Sequence, residues 1–75
     1  MVPFPERLKE ARKRRNLKQR EVAEHLQITP HSYQQYEGGD RRPNFETLVA
    51  LADLLEVSAD YLLGRTDRQE PYPRT

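Results

Sequence analysis

Seventy-five residues, 35% of them apolar and 33% charged, make one small domain, of the size at which only about 60% of the unfolded chain's surface is buried on folding, so little core is left to line a ligand cavity. With no cysteine there is neither a disulfide framework nor a thiolate metal site. No apolar run approaches the ~20 residues of a membrane span and nothing resembles a signal peptide, so the expected compartment is the cytoplasm. The net charge is only +1, but Met1 to Arg42 holds ten Lys and Arg against six Asp and Glu, while Pro43 to Thr75 holds three against six. That split fits either one face turned toward phosphates or an ordinary mixed surface.

A first helix is predicted from Pro5 to Asn16, with Phe4, Leu8, Ala11, Arg12 and Arg15 on one face. Asn16 tolerates the left-handed conformation that ends a helix. Arg12 lies one turn after Leu8, on the side that should meet the core, and an unpaired buried charge there would be severely destabilising. Lys9, Lys13, Arg14 and Arg15 form a basic edge that meets either phosphates or water.

A second helix starts at Gln19 and carries Val22, Ala23 and Leu26 inward. Lys18 is a poor N-cap, although Glu21 can reach back to its amide. The Gln19 side chain and the free amides of the helix terminus together suit a phosphate. His25 and His31 lie in different helices with no cysteine near, so no metal site is expected.

After a short turn, Thr29 caps a third helix by accepting from the amide of Ser32, with Pro30 at the first helical position. It runs to about Glu37, and Gly38 and Gly39 end it. Two short helices so joined make a helix-turn-helix unit, whose second helix enters a DNA major groove. Tyr33, Tyr36 and Glu37 share the i, i+3, i+4 spacing of an inward stripe. Glu37 and Arg12, two lone charges on two apolar faces, are therefore predicted to pair. His31, Gln34 and Gln35 form the outward stripe, which suits the edges of bases, or else is a solvated helix face.

The loop from Asp40 to Pro43 places Arg41 and Arg42 beyond that helix, free to meet backbone phosphates. Asn44 caps a fourth helix with the stripe Phe45, Leu48, Leu51, Ala52 and Leu55, and Val57 packs just past its end. Ser58 caps a last short helix holding Tyr61, Leu62 and Leu63 before Gly64. From Arg65 to Thr75 there is no apolar period, so residues 1–64 are read as the domain and 65–75 as a flexible tail.

Leu17, Gln19, Val22, Ala23, Ile28, Tyr33, Tyr36, Glu37, Gly39, Pro43, Leu48, Ala52, Leu55, Val57, Ser58 and Leu62 fall in the order and spacing of the Cro and repressor type of helix-turn-helix protein, also called the xenobiotic response element family. The chain resembles that family from Phe4 to Gly64. The resemblance implies an all-α, five-helix lambda-repressor-like fold, bound as a dimer to palindromic double-stranded DNA operators. It implies that Pro30, His31 and Gln35 read bases, with Gln34 on the same face, that Gln19 binds a phosphate and buttresses the reading helix, and that Arg12 and Glu37 are the interhelix ion pair. Two positions depart from the pattern. Gln27 stands where glycine is frequent, and Pro30 replaces a hydrogen-bonding residue and offers only an apolar contact.

The expected function is a dimeric repressor acting by occupancy, with Val57 to Leu63 as the dimer surface and no cofactor or small-molecule ligand. A protein-binding module, such as the antitoxin of a toxin-antitoxin pair, is the alternative. An enzyme is not expected, because no paired carboxylates, no nucleophile with its base and no Gly-rich phosphate loop are visible.

Overall fold

Each helix of this chain begins where a side chain or a proline deals with the amides that a helix start leaves unpaired. In the computed structural model, which describes residues 3–71, the order is α1 (Phe4–Arg14), α2 (Gln19–Leu26), α3 (Pro30–Gly38), α4 (Phe45–Leu55) and α5 (Ala59–Leu62). Thr29 Oγ1 accepts from the Ser32 amide at 3.1 Å, Asn44 Oδ1 from Thr47 at 2.8 Å and Ser58 Oγ from Tyr61 at 3.0 Å. Lys18 has no acceptor to offer. Only the reciprocal half of that capping box is made, by Glu21 Oε1 accepting from the Lys18 amide at 2.8 Å.

The helix ends share one device. After α2, Gln27 turns left-handed at φ 58° and the Ile28 amide closes back on the Ala23 carbonyl at 3.0 Å; after α4, Glu56 at φ 55° lets Val57 close on Ala52 at 3.0 Å. Asn16, at φ 58°, does the same for Leu17 and the Arg12 carbonyl. This is the Schellman closure, and in these three cases the residue after the left-handed one is apolar and returns to the core. The left-handed backbone at Gln27 and Glu56 is thus imposed by the burial of Ile28 and Val57, although neither residue type favours it.

The core gathers Leu8 and Ala11 from α1, Val22 and Ala23 from α2, Tyr33 and Tyr36 from α3, Leu51 and Leu55 from α4, and Tyr61 and Leu62 from α5. The rings of Tyr33 and Tyr36 meet edge to face, with centroids 6.3 Å apart. α1 packs on α3 and α5, α2 on α3 and α4, and α4 on α5. Among the described residues no helix is long and apolar enough to cross a membrane.

Several inward assignments change. Phe45 is 76% exposed: burial along α4 falls from Leu55 and Leu51 through half-buried Leu48, so the stripe runs off the edge of the body before it reaches the first residue. Arg15 is exposed and pairs with Glu56 at 2.5 Å. Arg7 is buried instead, its guanidinium 4.3 Å from the centroid of the Tyr61 ring and 2.5 Å from Asp67. Val57, Ser58, Tyr61 and Leu62 are buried, since a four-residue helix spends most of its surface on the core. Of the expected dimer surface, Leu63 is the exposed large apolar side chain. The segment 65–71 has no helix, but Asp67 on Arg7 and the Gln69 carbonyl, which accepts from the Ser58 amide at 3.0 Å, hold it against the body. The boundary read at Gly64 therefore falls before chain that still packs on the domain, and residues 72–75 of the expected tail lie outside the described residues.

Because Gln27 is exposed, its replacement tests backbone conformation alone. Gln27→Gly removes about 1–2 kcal/mol of left-handed strain and adds about 0.4–1 kcal/mol of unfolded-state entropy. A rise of about 0.5–1 kcal/mol in unfolding free energy is expected from urea titration, and a lower midpoint would contradict the account of this turn.

Candidate nucleic-acid interface

Glu37 lies in the last turn of α3 with only 4% of its side chain exposed. A carboxylate so placed has to be surrounded by donors, and donors arrive from three helices. Arg12 Nε on α1 donates to Oε2 at 2.6 Å and Nη2 to Oε1 at 3.1 Å, a two-pronged pairing. Gln19 Nε2, at the start of α2, donates to Oε1 at 3.1 Å. The Tyr33 hydroxyl, one turn back on α3, donates to Oε2. Arg12 also gives Nη1 to the Leu17 carbonyl at 2.8 Å, which fixes the chain between α1 and α2.

The electrostatics follow from this geometry. Burial alone would raise the Glu37 pKa, but the bonds from Arg12, Tyr33 and Gln19 together hold it below the ordinary 4.5. The bond to Glu37 raises the Arg12 pKa against the opposing effect of burial. Burial, reinforced by the bond to Glu37, pushes the Tyr33 phenol far up, so it stays a donor. The network is charged and fully engaged at neutral pH.

With Tyr33, Tyr36 and Glu37 turned in, α3 presents Pro30, His31 and Gln34 exposed and Gln35 half-buried. No carboxylate lies on that outer face, and the Gln35 and Gln34 side chains have no hydrogen-bond partner among the described residues. Arg41 and Arg42 are exposed in the loop after α3, and among the described residues neither pairs with a carboxylate. The loop is fixed to the helix end, for the amides of Asp40 and Arg41 both donate to the Gln35 carbonyl, at 3.0 and 3.3 Å. Gln19 is half-buried at the first position of α2, and its side-chain amide donates to Glu37, which leaves its second amide hydrogen unused among the described residues. So Gln19, Arg12 and Glu37 come together in one network, while Pro30, His31, Gln34 and Gln35 share the outer face of α3 and the two arginines follow at its end. The part of Tyr33 in the network was not foreseen, although its i, i+4 spacing to Glu37 was the available signal.

Arg12→Ala leaves a buried carboxylate without its cation, and a loss of about 3 kcal/mol in unfolding free energy is expected. An unchanged melting temperature would show the pair to be incidental. Since the folded pKa of Glu37 is the lower one, its contribution is complete above the ordinary 4.5 and fades as pH falls through that value toward the folded pKa. Urea unfolding followed against pH should show that acid loss in the native protein, and a shallower loss in Glu37→Gln; equal slopes would contradict the assignment.

A family model described as a helix-turn-helix domain matches residues 6–68. The chain is 45% identical over 60 residues to the uncharacterized HTH-type transcriptional regulator YqaE of Bacillus subtilis, covering 80% of this chain and 52% of that protein. It is 45% identical over 64 residues to the cryptic phage CTXphi transcriptional repressor RstR of Vibrio cholerae, covering 85% and 57%. The chain thus spans between half and two thirds of the length of these curated relatives. Among solved structures, the P22 c2 repressor in complex with synthetic operator 9T superposes with a TM-score of 0.81 at 29% identity, over 88% of this chain and all of that one. A transcriptional regulator from Listeria innocua superposes with a TM-score of 0.77 at 29% identity, over 97% and 68%. A matching family model, phage and bacterial regulators as relatives and a phage repressor as structural neighbour agree with the geometry of α2 and α3: the chain belongs to the helix-turn-helix family, in its Cro and repressor branch.

Proposed function

We propose that this domain is the DNA-binding part of a transcriptional repressor that reads the major groove of a palindromic operator as a homodimer. The observation that carries this reading is the outer face of α3, largely exposed, free of carboxylates and held by a network that includes Gln19 at the start of α2, with Arg41 and Arg42 exposed in the loop that follows. The named function of RstR and the operator in the P22 c2 complex support it. Gln35 and Gln34 suit an adenine, His31 donates to a guanine acceptor, and Pro30 offers an apolar edge to a thymine methyl. Gln19, Arg41 and Arg42 hold phosphates and set the register. Such a protein works where the DNA is, in the cytoplasm.

Size supports a dimer. The reading helices of two half-sites stand about 34 Å apart, and the longest extent of the domain is 31 Å, so two copies side by side fit one face of the duplex. Selection from a random duplex pool tests the proposal: enrichment of a two-fold sequence is expected, and no enrichment would favour a protein-binding module such as an antitoxin.

Two kinds of contact separate in the same assay. Gln35→Ala should keep the fold and lose about 1–3 kcal/mol of discrimination at one base position, with affinity for unrelated DNA unchanged. Arg41→Ala and Arg42→Ala should weaken all sequences alike and each make the salt dependence shallower by about one in log–log slope. Unaltered base preference in the first, or sequence-selective loss in the others, would reverse these assignments.

A further inference from the structure

The chain leaves α5 through Gly64 at φ 78°, where the Arg65 amide closes on the Asp60 carbonyl at 2.9 Å, and then runs back until the Gln69 carbonyl accepts from the Ser58 amide at 3.0 Å. Ser58 is also the N-cap of α5, its Oγ accepting from the Tyr61 amide. The returning strap therefore holds both ends of a helix of four residues, which is too short to keep its shape alone. Between those two bonds Thr66 Oγ1 accepts from the Arg68 amide at 3.1 Å, a turn centred on Asp67. Asp67 pairs with Arg7, whose side chain is 8% exposed and whose Nε is buried without a hydrogen-bond partner among the described residues. The Asp67 side chain itself is 96% exposed.

Two carboxylates thus fasten α1, by opposite means. Glu37 takes Arg12 by two prongs and is shielded from water, whereas Asp67 takes Arg7 by one and stands in water. Water and salt weaken an ion pair whose carboxylate is exposed far more than one that is buried. The fastening of α5 is therefore the breakable one, and none of its bonds reaches α2 or α3.

We propose that α5 and residues 65–71 form a latch with Asp67 as its catch, opening as one unit while α1, α2 and α3 keep the arrangement set by Glu37. Lifting Asp67 takes a counter-charge from the guanidinium that lies against the Tyr61 ring, and lifting Gln69 frees the Ser58 amide at the start of the same turn. Each loss weakens the other contact, which makes the opening cooperative. A pull on the strap then releases α5 and leaves α3 in place.

Hydrogen exchange followed by NMR in wild-type protein and Asp67→Asn tests this. The amides of Ser58, Leu62 and Leu63 report on the latch and those of Val22 and Tyr33 on α2 and α3, and all five have backbone acceptors. In D67N the three latch amides are expected to exchange about tenfold faster and in step, with Val22 and Tyr33 unchanged. Raising the salt from about 0.01 M to about 1 M should shrink the difference between the two proteins, because screening removes from wild type what the substitution has already removed. Since Asp67 is exposed, circular dichroism should report an intact fold. Latch amides that ignore the substitution overturn the role of Asp67, and acceleration of all five alike overturns the separate opening. A difference that salt leaves untouched overturns the electrostatic catch.

Discussion

One buried carboxylate holds this fold in the form in which it can read anything. Glu37 is nearly out of reach of water, and its charge survives there only because Arg12, Gln19 and Tyr33 all donate to it. Those donors belong to α1, α2 and α3, so the angle between α2 and α3 is fixed by hydrogen-bond directions as well as by packing. Apolar packing tolerates rotation of one helix on another better than a two-pronged guanidinium bond does. Gln19 extends this constraint to the start of α2, so the group proposed to grip a phosphate and the helix proposed to read bases are tied through a single side chain.

The loops serve the same end by different means. With five helices in so short a chain, three of the four connections reverse the backbone and bury an apolar residue within a few positions. Leu17, Ile28 and Val57 are those residues, and Asn16, Gln27 and Glu56 take the left-handed strain. Burying a branched side chain contributes about 1.5–3 kcal/mol, which exceeds the about 1–2 kcal/mol of strain. That balance explains why glycine is dispensable at Gln27 although it would be the easier choice.

Most of this architecture was legible because its signals are local. Thr29, Asn44 and Ser58 mark helix starts within three residues of the amides they cap, and the i, i+3, i+4 spacing of Tyr33, Tyr36 and Glu37 defines an inner face without reference to the rest of the chain. The pairing of Arg12 with Glu37 was legible for another reason, that a charge on an apolar stripe demands a partner. Arg7 carries no such signal, because its partners, the Tyr61 ring and Asp67, are far along the chain and leave no period in the sequence. Phe45 was misplaced because a helical stripe records which side faces inward and not how far the body extends along the axis. The burial of Val57, Ser58, Tyr61 and Leu62 likewise depends on how short α5 is, and apolarity alone does not separate a core residue from an interface residue.

Because its donors come from three helices, the Glu37 network sets helix orientation and is not merely a source of stability. Buried ion pairs can be replaced by apolar pairs of similar volume without loss of stability, which separates the two roles. The direct measurement is on Arg12→Met combined with Glu37→Leu: unfolding free energy by urea titration, and the ratio of affinities for a selected and a scrambled duplex. Stability within about 1 kcal/mol of wild type, together with about a tenfold or greater fall in that ratio, is the predicted result. A double variant as stable as wild type that discriminates as well would contradict the account.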